Sequence, residues 1–138
     1  LTDAAPGSLD LIVVDALSSD AIPIHLLTRE AIGLYLSKLT PNGALLFHIS
    51  NRNMDLAPVV AATAREHGLI TWISQYRQTQ ELADQHKFLS LVAMVVRDQA
   101  DLRFAAGERW RVEQGGGTRP WRDDYADVIG AIWRKLSR

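Results

Sequence analysis

Hydrophobic positions in this chain fall into short unbroken runs separated by stretches with helical spacing, an order that predicts strand, helix and strand. Residues 11–14 (LIVV) are apolar without the alternation of a half-exposed strand. They suit a strand covered on both faces, as in helix-flanked parallel sheets. Pro23 closes the turn that follows, and Thr28 can cap a helix over TREAIGLYLSKL, where Ile32, Tyr35, Leu36 and Leu39 recur at helical spacing. Thr40, Pro41, Asn42 and Gly43 then stop it, and residues 44–49 (ALLFHI) form a second buried strand that runs into a polar segment.

Farther on, Asp55 is placed to cap another helix, with Pro58 in its first turn, Val59, Val60, Thr63 and Ala64 facing inward, and Gly68 suited to ending it. Residues 69–74 and 88–96 (FLSLVAMVV) read as a third and a fourth strand. A parallel return needs a crossover of about a dozen residues or more, usually helical. The polar connection over residues 75–87 shows no such helix, so the pair is predicted antiparallel. In the tail, residues 100–106 suggest a short helix, and Gly115, Gly116 and Gly117 a flexible loop without the Lys-Ser or Lys-Thr of a phosphate loop. A last helix, capped by Asp123 or Asp124, carries Val128, Ile129, Ile132 and Trp133 on one packing stripe.

Composition narrows the classes. The chain has 138 residues, 47% of them apolar, a formal charge of -1 and no cysteine. It can bury a core, it lacks the basic face that nucleic acid requires, and disulfides, thiolate zinc sites and cysteine nucleophiles are excluded. No spacing of metal ligands occurs, so no metal is expected. No apolar run approaches the roughly 20 residues that cross a bilayer, and no membrane contact is expected from this chain itself. A cytoplasmic location fits. His67 belongs at a helix C-terminus, His86 in a loop, and the four tryptophans in the core or an interface.

The candidate chemistry lies at strand ends. Asp15 closes the first strand, and in parallel sheets ligands bind at the strands' carboxyl ends. A turn-forming acid is the alternative there. Asp20 follows in the same turn, and His25 and His48 stand near strand ends, where a hydrogen-bonded structural role is the other reading.

The segment DLIVVDALSSDAIPIHLLTREAIGLYLSKLTPNGALLFHISNR resembles the C-terminal half of spermidine synthase-like proteins, and WRDDYADVIGAIW resembles their closing segment. The resemblance covers about Leu9 to Trp133 and is closest to a bacterial branch in which some members are fused to transmembrane transporter-like segments. It implies an α/β fold: the C-terminal portion of a Rossmann-like, class I methyltransferase-like sheet, with flanking helices and a terminal antiparallel strand pair. Residues 1–138 would then be one partial domain.

Family enzymes transfer an aminopropyl group from decarboxylated S-adenosylmethionine to an amine such as putrescine. An alkylammonium with a pKa near 10.4 must lose a proton before it attacks carbon, at a cost of roughly 4–5 kcal/mol at pH 7. The resemblance makes Asp15 the catalytic acid/base residue and Asp20 and His48 substrate-binding residues, with His48 standing where the synthases carry a glutamine; His25, near a strand end, is a further candidate for substrate binding. Two extra residues separate Asp15 from Asp20 relative to the family motif. The family's glycine-rich strand-turn and ribose-holding acid precede the strand of Asp15, and residues 1–9 contain neither. The co-substrate is therefore expected to be held mainly by preceding parts of a larger protein, with no tightly bound cofactor here and little turnover by this chain alone. Ordinary S-adenosylmethionine as methyl donor is the rival enzyme reading. A non-catalytic module that pairs two copies through the first strand's open edge is the rival from another class.

Overall fold

The computed structural model describes residues 1, 3–15, 23–51, 53–76, 90–99 and 109–137. In chain order these form strand β1 (Leu9–Val14), helix α1 (Arg29–Lys38), strand β2 (Leu39–His48), helix α2 (Ala57–Arg65), strands β3 (Ile70–Tyr76), β4 (Ser90–Val96) and β5 (Trp110–Glu113), and helix α3 (Val128–Leu136). The strands make one mixed sheet in the order β1-β2-β4-β3-β5. β1 and β2 are parallel, joined across α1, whereas β4 runs antiparallel to both β2 and β3. The antiparallel hairpin is therefore as predicted, with the returning strand inserted next to β2. β5, antiparallel to β3 at the far edge, is an addition; its four residues, WRVE, alternate apolar and polar as an edge strand does, a signal at the short limit of the pattern.

One face of the sheet carries the core. Ile12, Val14, Leu45, Phe47, Ile73, Ala93 and Val95 pack with Ile32 and Tyr35 of α1, Val59 and Val60 of α2, and Trp121. Each fully buried aliphatic or aromatic side chain here contributes about 1.5–3 kcal/mol relative to an exposed one. Thr28 caps α1 as predicted, its hydroxyl accepting from Ala31 N–H. Gly68 follows α2 with φ +71°.

Several predicted details are corrected. β1 is not covered on both faces: Ile12 and Val14 are buried, but Leu11 and Val13 are 54% and 55% exposed. Among the described residues β1 is an edge strand, and the helices that shield it lie on one side. Residues 40–43 do not end α1 but belong to β2, which opens directly from the helix at Leu39. They still leave the ladder, because Leu9 pairs with Leu39 and Leu11 already with Ala44, so four residues face Asp10 alone. Arg97 fills the gap, donating to the carbonyls of Leu36, Thr40 and Pro41.

The cap residues differ as well. Leu56, not Asp55, is the N-cap of α2, and Asp55 is buried with its N–H donating to the Ala131 carbonyl. Asp127, not Asp123 or Asp124, caps α3 by accepting from Gly130 N–H at 2.8 Å. α3 then turns Val128 and Ile132 toward the core but leaves Ile129 81% and Trp133 71% exposed, so only half of the predicted stripe packs. The glycine loop is built rather than loose. Gly115, at φ +64°, lies directly on the backbone of α2, and Thr118 N–H closes a turn on its carbonyl. The predicted helix over residues 100–106, His86 and Asp20 lie outside the described residues.

Candidate functional site

Alternation along β1 buries Ile12 and Val14 against the helices, which turns Asp15 to the opposite side at the strand's carboxyl end. β2 is its parallel neighbour, with Val14 paired to Phe47, so His48 comes to the same end of the sheet. There His48 Nδ1 meets Asp15 Oδ1 at 2.6 Å, with side-chain exposures of 32% and 62%. At that exposure the pair contributes little to stability. It holds an acceptor oxygen at the exposed carboxyl end of β1.

Two further groups complete the arrangement. Ser50 Oγ lies 2.9 Å from His48 Nε2, and Leu91 N–H of β4 donates to the same oxygen at 2.7 Å. The chain Asp15–His48–Ser50–Leu91 thus ties together the ends of β1, β2 and β4. Sequence reasoning missed Ser50, although a His-x-Ser step at a strand end places both side chains on one face.

His25 occupies a different setting. It is exposed on a single 3-10 turn, Ile24–Leu26, and lines a cavity of about 910 Å³ together with Glu30, Tyr35, Asp123 and Asp124. Neither Asp15 nor His48 lines that cavity. The tail forms its wall: Thr28 hydroxyl donates to Asp123 at 2.7 Å, and Asp123 N–H donates to Glu30 at 3.1 Å. Trp121, fully buried between the helices, anchors this wall, its backbone N–H donating to the Thr63 hydroxyl and its carbonyl accepting from Arg29 N–H. His67 also serves the framework, bonding to the Arg29 carbonyl at 2.8 Å.

The left-handed glycines among the described residues precede β1 and β3 or sit in the tail turn, none of them at the carboxyl end of a parallel strand. No group of metal-ligating side chains occurs among the described residues, and no helix there is long and apolar enough to cross a membrane.

The sheet order and the strand-end position of the cluster define an α/β protein with a Rossmann-like sheet of the methyltransferase type. No protein-family model and no curated protein matches the chain. Among solved structures it is similar to a probable spermidine synthase from Corynebacterium glutamicum ATCC 13032, with a TM-score of 0.57 and 15% identity over 91% of this chain. The chain spans about half of that protein, 51% of its length. At this identity the likeness shows the fold.

Proposed function

We propose that this chain carries the acceptor side of a group-transfer site, in which an aminopropyl group passes from decarboxylated S-adenosylmethionine to a small amine such as putrescine. The observation that carries the reading is the Asp15 carboxylate at the carboxyl end of β1, oriented by His48 at 2.6 Å. Supporting it are the resemblance of this segment to spermidine synthase-like proteins and the fold likeness to one of them.

In this reading Asp15 holds the incoming ammonium by charge, fixes its nitrogen, and takes its proton as the nitrogen becomes nucleophilic. Asp20 is a further contact to the acceptor in the same proposal, whereas His25, which lines the separate cavity, has no part in it. The described residues are assigned no part in holding the donor.

The test offers the full-length protein decarboxylated S-adenosylmethionine and ordinary S-adenosylmethionine in parallel with putrescine, and identifies products by mass spectrometry. Aminopropylated amine, reduced about 100-fold or more by Asp15→Asn, is the expected result. Methylated product alone would replace this reading with a methyltransferase. Turnover unchanged by Asp15→Asn would remove Asp15 from the chemistry.

A further inference from the structure

Both ring nitrogens of His48 are engaged by the protein. An ionised carboxylate only accepts hydrogen bonds, so the 2.6 Å contact to Asp15 Oδ1 places a proton on Nδ1. In the neutral ring Nε2 is then bare and accepts the Ser50 hydroxyl at 2.9 Å, a tautomer assigned from the network. Ser50 Oγ is itself fixed by Leu91 N–H at 2.7 Å, and Ile49 N–H returns a bond to the Leu91 carbonyl at 2.8 Å. Leu91 of β4 therefore holds the end of β2 at two adjacent residues, Ile49 and Ser50. Its position is set by backbone, and the imidazole's position follows from it.

We propose that Ser50 is a positioning residue which, through His48, holds one oxygen of Asp15 so that the site presents the other to its substrate and selects a primary ammonium over a guanidinium. The substrate half of this inference rests on the amine-acceptor reading, whereas the hydrogen-bond lock stands on geometry alone. A guanidinium binds a carboxylate best as a fork across both oxygens, but Oδ1 is already occupied by the imidazole. An ammonium is a compact donor that one oxygen can serve.

The order Asp, His, Ser is also the wiring of an activated nucleophile. Two features favour the other direction here. The Ser50 oxygen accepts a strand amide, which holds it to the framework. The carboxylate, buried in nucleophilic triads, is the exposed end of this chain, at 62%.

The experiment uses the ¹⁵N-labelled chain, its His48→Ala, Ser50→Ala and Ser50→Thr variants, and two probes, butylamine and butylguanidine. Long-range ¹H–¹⁵N spectra should show His48 as the Nδ1-protonated tautomer throughout, with an Nε2 resonance shifted by its hydrogen bond in the parent chain, moved toward a free imidazole nitrogen in Ser50→Ala, and recovered in Ser50→Thr. Titrations followed at the Asp15 amide should show butylamine bound about tenfold more tightly than butylguanidine, with that preference lost in Ser50→Ala and His48→Ala. An Nε2 resonance unchanged in Ser50→Ala would overturn the lock. Equal binding of the two probes by the parent chain would overturn the selection. Labelling of Ser50 by a fluorophosphonate would overturn both in favour of a nucleophile. If neither probe shifts the Asp15 amide, the amine reading fails and takes the selection with it, while the imidazole spectrum decides the lock separately.

Discussion

Replacing Gly115 by alanine tests the contact that seats the tail on the helices. At φ +64° a non-glycine residue is disfavoured by about 1–2 kcal/mol. A Cβ built there would stand 2.5 Å from Ala62 N, 2.7 Å from the Pro58 carbonyl oxygen and 3.0 Å from Ala62 Cα. All three are backbone atoms of α2, so no side chain can swing aside. Relief requires moving the turn off the helix, at a cost of about 1–3 kcal/mol by analogy with overpacked cores. Against this stands a gain of about 0.4–1 kcal/mol from a stiffer unfolded chain. The net expectation for Gly115→Ala is a loss of roughly 2–4 kcal/mol.

Neighbouring glycines separate the terms. Gly117 has φ +71° with nothing within 4 Å, so Gly117→Ala isolates the backbone cost, about 1 kcal/mol. Gly116 has neither the positive φ nor a neighbour within 4 Å, and Gly116→Ala should be within about 0.5 kcal/mol of neutral. Urea unfolding of the three variants at constant m-value measures all of these. Equal losses for Gly115→Ala and Gly117→Ala would refute the close approach to α2, whatever their size.

Other outcomes follow from single contacts. Trp121→Ala, which empties the largest fully buried side chain, should cost about 3–5 kcal/mol by urea unfolding. Asp127→Ala removes the α3 cap and should cost about 1 kcal/mol in the same assay, whereas Ile129→Lys on the exposed face should be nearly neutral. Burial raises the Tyr35 hydroxyl above its ordinary value of 10.0. The unfolded phenol therefore releases its proton first, and this contribution to stability is intact below pH 10 and falls as pH rises through the folded value. Tyr35→Phe should flatten that decline in unfolding measured between pH 9 and about 11.

The parts of the fold that were legible are those fixed by local pattern. Thr28 and the stripe of Ile32 and Tyr35 mark α1 because capping and helical spacing act within one turn. The hairpin of β3 and β4 followed from the connection rule alone. Errors arose where tertiary structure chose between local options. Apolar character at Leu11 and Val13 cannot report that, among the described residues, the helices shield β1 on one side. The turn signal at residues 40–43 was real as an excursion, yet Arg97, more than fifty residues later, supplies the donors that let it stay within a strand. Asp127 won the α3 cap because Asp123 is held by Thr28.

The site divides along the same line. A carboxylate at the end of an apolar run is visible in sequence, and Asp15 and His48 could be named because each closes such a run. Their contact depends on the parallel pairing of β1 with β2 and on its register, Val14 opposite Phe47, which no local pattern encodes. Shifting that register by one residue would turn His48 to the helix-covered face and away from Asp15. Ser50 depends on one element more, because the amide that fixes it comes from β4, inserted between β2 and β3 by the returning hairpin. The antiparallel return thus does more than close the sheet. It brings a donor, Leu91 N–H, to the end of β2, where the orientation of the Asp15 carboxylate is set.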